Sequence, residues 1–300
     1  MSKREITLRH TAIINKLNKS PATLKEINQH LLMESELREY KLTVSERTFQ
    51  RDRQDILSLY NISIECDKPK NQYFIADTDD SILNNRMLDA FNTLNALNSS
   101  IGISDYLEFD NYTSSGSEHF HGLLHAIKNK LQLNLNYQSY WSELERQRCI
   151  HPYFLKEFKN RWYLIAKDIE KDSMRTYALD RIKGMEITKK KFVYPVSKRP
   201  KSYFRDSFGI IVPDHSNPVE PIILKFNAFK GKYVKSLPLH LSQEIIKDDQ
   251  EELIINLSIH ATFDLEMQLL SYGDNVEVIK PLSLRNAMVD RLTRSLERYR

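Results

Sequence analysis

The sequence predicts a multidomain α+β chain, and three observations carry that prediction. Residues 1–76 read as three helical stretches followed by a hairpin. Residues 119–195 read as one helix and five short strands, and residues 196–300 follow the order βαββαβ. A length of 300 residues suits two or three domains. We therefore expect four segments: 1–76, a helical linker over 77–118, a small β-barrel over 119–195, and an α+β domain over 196–300.

In the first segment, Ile6, Ile13, Ile14 and Leu17 lie at helical spacing. Ser20-Pro21 breaks that helix. Thr23-Leu-Lys-Glu26 is a capping box, and Leu24, Ile27 and Leu31 continue inward from it. Thr43-Val-Ser-Glu46 has the same pattern and predicts a third helix running to about Tyr60. The stretch Met33–Leu42 is longer than a usual helix-helix turn; it either extends helix 2 or is an insertion. Phe49, Ile56 and Tyr60 mark the buried side of helix 3. Ser45, Arg47, Thr48, Gln50, Arg51 and Gln54 bring side chains suited to phosphates and base edges. Ile62–Cys66 and Gln72–Ile75 then form a hairpin whose tip carries Lys68 and Lys70. Three helices and such a hairpin predict a winged helix-turn-helix, with helix 3 in the major groove of double-stranded DNA and the two lysines on adjacent phosphates. The string Val-Ser-Glu-Arg-Thr-Phe-Gln-Arg-Asp over 44–52 resembles the recognition-helix start of DeoR-type bacterial regulators. Ser45, Arg47, Thr48, Arg51 and Asp52 carry that resemblance.

The linker begins with Asp77, Asp79 and Asp80, which suit a helix N-terminus. A helix near 81–98 with the stripe Leu83, Met87, Phe91 and Leu94 should follow, then a loop ending in Asn111-Tyr-Thr-Ser-Ser-Gly-Ser117.

Charge singles out the third segment. Residues 1–118 hold 14 Lys/Arg against 18 Asp/Glu, residues 119–195 hold 15 against 8, and residues 196–300 hold 15 against 14. A basic middle module is an electrostatic footprint for an acidic ligand. A helix near 119–130 leads into Leu131–Tyr137, where Leu131, Leu133, Leu135 and Tyr137 alternate on one face. A second strand covers Leu144–Ile150, with Arg146 and Arg148 on one face, and His151-Pro152 should end it. A third strand runs Trp162–Lys167, with Trp162, Leu164 and Ala166 opposite Arg161, Tyr163, Ile165 and Lys167. Met174–Leu179 and Gly184–Phe192 complete the set. One helix and five short strands predict an SH3- or Sm-type barrel, filled by its own side chains.

Tyr137, Arg148 with Pro152, Trp162-Tyr163-Leu164, Arg175 and Leu179-Asp180-Arg181-Ile182 occur in the order and spacing of WYL domains. The segment resembles that family, named for its Trp-Tyr-Leu tripeptide. The resemblance implies an Sm-like barrel that senses a negatively charged ligand, a nucleotide or single-stranded nucleic acid. It also implies a place behind a winged helix-turn-helix in a bacterial transcription regulator, the order found here. The residues agree: Arg148, Arg175 and Arg181 are planar donors matched to phosphate. Tyr137, His151 and Tyr163 are able to stack on or hydrogen-bond a base. Tyr163 is alternatively a structural tyrosine, His151 a strand end, and Asp180 with Arg181 an ion pair.

In the last segment Lys198-Arg-Pro-Lys201 reads as a linker and Tyr203–Val212 as an aromatic stretch that packs between domains. Strands 220–227, 242–248, 252–260 and 275–279 and helices 228–236, 263–272 and 282–299 predict a ferredoxin-like domain. Gly273 should cap the helix before it. Met288, Leu292, Leu296 and Tyr299 are spaced for packing on the last helix. Its Arg285, Arg291, Arg294 and Arg298 form either a second anion surface or a solvated face. The segment resembles the extension found after WYL domains, which implies homodimer contacts and a share in ligand binding.

There is no Gly-rich phosphate loop, nucleophile elbow or paired-cysteine zinc pattern, so neither an enzyme nor a cofactor or metal protein is expected. His121 and His125 stand at i, i+4 without the glutamate of a zinc-protease motif. Cys66 and Cys149 lie far apart, as buried thiols of a reducing compartment do. No run of about 18 apolar residues marks a membrane span, and the first ten residues hold no apolar leader. We expect a cytoplasmic, homodimeric regulator of promoter DNA. The other readings are an Sm-like RNA- or single-stranded-DNA-binding module, and an accessory subunit of a nucleic-acid-processing system.

Overall fold

The computed structural model describes residues 3–38, 40–76, 116–140, 142, 144–195, 200–212 and 217–300. The chain divides between residues 111 and 112 into two compact units. The first holds α1 (Lys3–Lys19), α2 (Leu24–Arg38) and α3 (Glu46–Tyr60), then an antiparallel hairpin of β1 (Ile64–Asp67) and β2 (Gln72–Ile75). α2 begins at its capping box: the Thr23 N–H donates to Glu26 Oε2 at 2.7 Å, and the Glu26 N–H donates to Thr23 Oγ1 at 3.3 Å. It runs on to Arg38, so much of the 33–42 stretch is helix 2.

α3 starts later than its sequence pattern implies. Its N-cap is Ser45, whose hydroxyl accepts the Thr48 N–H at 3.3 Å, and not Thr43. The reason lies on α2. The Asn28 amide exchanges two 2.9 Å hydrogen bonds with the backbone N–H and C=O of Val44. Both Val44 groups are thereby withheld from the helix. Ile13, Ile14, Leu17, Ile27, Leu31, Phe49, Ile56 and Tyr60 share one core. Beside it, Arg9 Nε and Nη2 donate to the two Asp52 oxygens, each at 2.7 Å, with both side chains fully buried. This fork ties α1 to α3.

The expected linker helix over 81–98 and almost all of the loop that ends at Ser117 lie outside the described residues.

The second unit starts with α4 (Phe120–Asn129). Five strands follow: β3 (Leu131–Tyr137), β4 (Arg146–Phe158), β5 (Arg161–Asp168), β6 (Ser173–Ala178) and β7 (Ile182–Lys191). They form one antiparallel sheet in the order β6-β5-β4-β3-β7. A single helical turn, Leu179–Arg181, joins the two outer strands. The sheet is strongly curved. The hydroxyl of Tyr137 on β3 accepts the Ala178 N–H on β6 at 3.2 Å. On a flat sheet three strand spacings, about 14 Å, would separate them, beyond a tyrosine's reach. Leu133, Leu135, Ile150, Leu164, Ala166 and Tyr177 fill the concave side with Leu123 and Ala126 of α4. Each such leucine contributes about 1.5–3 kcal/mol by leaving water.

His151-Pro152 does not end the second strand, which continues as β4 to Phe158. The pairing register with β5 shifts between Pro152 and Phe154. A bulge there lets the ladder pass a residue that has no N–H. Beyond the bulge, Tyr153, Phe154, Tyr163, Ile165 and Phe192 build a second core on the convex face. Phe204, Tyr203, Ile210 and Val212 cover it, so the aromatic stretch is a strap over the sheet. Its start is the short α5 (Pro200–Tyr203), where a linker was expected. β5 is thus buried on both faces, which explains its near-continuous apolar run.

The rest of the unit is β8 (Val219–Asn227), α6 (Ala228–Ser236), β9 (Glu244–Asp248), β10 (Glu252–His260), α7 (Phe263–Leu270), β11 (Val276–Lys280) and α8 (Leu282–Glu297). The antiparallel sheet has the order β11-β8-β10-β9. Ile222, Leu224, Phe226, Leu253, Ile255 and Leu257 meet Val234, Leu265, Leu269, Leu284 and Met288 of the three helices in one core. Two expectations are corrected. The C-cap of α7 is Ser271, and Gly273, at φ +60°, opens the following turn. On α8 only Met288 of the expected packing stripe is buried; Leu292, Leu296 and Tyr299 are exposed. Both cysteines are free and half-buried. Among the described residues no helix is long and apolar enough to cross a membrane.

Candidate functional site

At one end of the curved sheet the inward rows change character. The row Leu133-Leu135 on β3 ends in Tyr137, and its partners on β4 run Ile150, Arg148, Arg146. On β5 the row Leu164-Ala166 ends in Asp168, and on β6 Tyr177 is followed outward by Arg175. The aliphatic core therefore opens into a cavity of about 530 Å³ lined by Arg146, Arg148, Lys171, Arg175 and Arg181, with Tyr137 and Tyr177.

The buried acid takes its hydrogen bonds from neutral donors and not from these cations. Asp168 is buried and already engaged: it accepts the Tyr177 hydroxyl at 2.9 Å and the Lys171 N–H at 3.1 Å. It thereby fixes the turn that carries Lys171. Burial, then the Asp168 acceptor, pushes the Tyr177 pKa up, so the phenol stays a donor. Burial likewise raises that of Tyr137, whose ring meets Tyr177 edge to face at 5.0 Å. Arg148 reaches the exposed Glu170 at 3.2 Å, a solvent-screened pair. Such a wall holds an anion by charge-assisted, often bidentate hydrogen bonds. Among its described residues no nucleophile stands beside a base.

Of the six ligand residues expected from sequence, the cavity brings together Tyr137, Arg148, Arg175 and Arg181. Tyr163 and His151 are elsewhere. Tyr163 is 9% exposed, within the convex-face core. His151 stacks on Phe192, with ring centroids 4.6 Å apart and planes at 9°. Lys171 and Arg146 were missed as site residues. The shared face of Arg146 and Arg148 on one strand was the available signal; Lys171 sits in a turn with no pattern of its own.

In the first unit, Arg47, Arg51 and Gln54 are exposed on α3 at i, i+4 and i+7, one face of the helix. Lys68 and Lys70 are exposed at the hairpin tip. Ser45 and Thr48 are engaged with each other in the cap, at 3.0 Å between hydroxyls. Gln50 turns toward the hairpin, donating to the Tyr73 hydroxyl at 3.3 Å and accepting Arg53 at 2.7 Å. Asp52 serves the buried fork. Donor atoms of His10, Asp52 and Asp55 lie within 4.8 Å of one another, a metal-like cluster. Arg9 occupies both Asp52 oxygens, so the cluster is an ion pair.

A curved five-stranded sheet with a cationic mouth is followed by a βαββαβ domain. Residues 118–187 match the WYL domain family and residues 218–296 the WCX domain family. The chain is a WYL-domain protein with a C-terminal WCX domain. Among solved structures it is similar to proteasome accessory factor B/C (PafBC) of Arthrobacter aurescens, at 18% identity and a TM-score of 0.34, over 96% of this chain and 46% of that one. The chain thus spans about half the length of that protein. A CRISPR Cas-related protein is similar at 13% identity and a TM-score of 0.39, over 98% of this chain and 84% of that one. No curated protein matches the sequence.

Proposed function

We propose that this protein is a DNA-binding transcription regulator, acting as a homodimer, whose WYL barrel senses a nucleotide or single-stranded nucleic acid. The observation that carries the reading is the cationic mouth of the barrel, whose one buried acid is already satisfied. The WYL resemblance implies a sensor of a negatively charged ligand, and this wall suits phosphate. The first unit reads as a winged helix-turn-helix. Arg47, Arg51 and Gln54 form a row suited to the major groove, and Lys68 and Lys70 suit the flanking phosphates. Ser45, Thr48 and Gln50 shape and brace that helix. The C-terminal domain reads as ferredoxin-like, since a βαββαβ unit with its last strand beside its first gives the order β11-β8-β10-β9. Ligand in the barrel changes the affinity for promoter DNA, a coupling of about 1–3 kcal/mol.

The test is selection from a randomised duplex pool, with ligand carried through purification followed by the 260/280 nm absorbance ratio. The wild-type chain should enrich a two-fold-related site, and Arg47→Ala with Arg51→Ala should abolish enrichment. Arg148→Ala or Arg175→Ala should lower the absorbance ratio. Unchanged enrichment in the first pair would remove α3 from the DNA interface.

A further inference from the structure

A second lobe of about 510 Å³ adjoins the cavity and shares Ser139, Ser142 and Arg181 with it. Its chemistry differs. Gln138, Tyr140, Asp180 and Lys183 replace the row of arginines. Asp180 repels phosphate and asks for a donor. Its Oδ1 is buried with no hydrogen-bond partner among the described residues, while Oδ2 lies 3.7 Å from Arg161 Nη1. A ring N–H or exocyclic amine of a base supplies such a donor; a phosphate does not.

Tyr140 lines the second lobe. The Arg181 guanidinium lies 3.9 Å from its ring centroid. Yet Tyr140 is 69% exposed. One ring face is backed by a cation and most of the residue is exposed, which suits a stacking platform. Among the described residues the aromatic rings of the first lobe are less open: Tyr177 is buried, and Tyr137 meets it edge to face.

We propose that Tyr140 is the base-stacking residue of the site. The occupant is then a nucleotide unit with its phosphate among Arg146, Arg148 and Arg175 and its base on Tyr140, facing Gln138 and Asp180. This deepens the anion-sensing reading and rests on it. A bare polyanion would fill the first lobe and leave the second unused.

The test is fluorescence-anisotropy competition on the full chain with three probes. These are a single-stranded mixed-sequence hexanucleotide, an abasic phosphodiester of equal length, and inorganic polyphosphate. The wild-type protein should bind the hexanucleotide about tenfold more tightly than the abasic chain, the size expected of one stacking contact. Tyr140→Ala should reduce the hexanucleotide to the abasic level, and Tyr140→Phe, which keeps the ring, should retain the preference. Arg148→Ala should weaken all three. Equal wild-type affinity for the first two probes, or a preference that survives Tyr140→Ala, overturns the stacking role while leaving the anion site standing. Failure of all three probes to bind sinks the anion site and the stacking role together.

Discussion

Asp52 shows how one residue serves a fold through a charge. It has no exposure to solvent and no role on the outward face of α3. Burial alone would raise its pKa. Hydrogen bonds from His10 and Arg9, with the Arg9 charge, outweigh that and hold the carboxyl below the usual range. A depressed carboxyl contributes stability that is fully present above its unfolded pKa, about 3.9. That stability is lost as pH falls through the folded value. Asp52→Asn removes the charge that faces the buried Arg9 guanidinium. We expect a loss of about 3–5 kcal/mol at pH 7, read as the opening free energy of α3 amides by hydrogen exchange. The gap between variant and wild type should narrow below about pH 4. An equal gap at pH 3 and pH 7 would show that packing, and not the ion pair, sets the value.

At the scale of elements, what the sequence made legible depended on whether a strand met one environment or two. β3 has a solvated row and a core row, so its alternation of leucine with Gln132, Asn134 and Asn136 marks it from end to end. β4 crosses from the cavity to the strap, and Pro152 sits at the crossing, so local rules stop the strand eight residues early. Tyr163 could not be placed because a strand buried on both faces carries no solvent row to sort it. The arginines of the cavity were legible because they continue the inward rows past the core; Lys171 and Tyr140, both in turns, were not. The strap itself depends on one backbone position. Gly209 has φ +88°, and a Cβ there would lie 2.3 Å from Asp264 Oδ2. That carboxylate accepts the Ile210 and Ile211 N–H groups at 2.8 and 3.2 Å. Gly209→Ala should strain the backbone and expel the carboxylate together, costing about 1–3 kcal/mol. Limited proteolysis should then cut within 203–212 before any other described segment. Wild-type resistance there would mean that the apolar contacts of Tyr203, Phe204 and Ile210 hold the strap without its anchor.

For the whole molecule the question is whether the two units act as one device. If the barrel's ligand alters promoter binding by some factor, promoter DNA must alter ligand binding by the same factor, since both are one coupling free energy. A coupling of about 1–3 kcal/mol corresponds to roughly 5- to 150-fold. The residues allow each side to be silenced alone. Arg148→Ala with Arg175→Ala removes cations from the cavity, and Arg47→Ala with Arg51→Ala clears the α3 row. The measurement is a four-state cycle: duplex affinity with and without the hexanucleotide, and hexanucleotide affinity with and without duplex, at one salt concentration because phosphate contacts are salt-dependent. The two ratios should agree in the wild-type chain. The cavity variant should keep the ligand-free duplex affinity and lose the response to hexanucleotide. The α3 variant should keep hexanucleotide affinity and lose the response to duplex. Two wild-type ratios of one would mean that the units bind nucleic acid independently. The barrel would then be a binding module that travels with the DNA-binding unit and does not govern it.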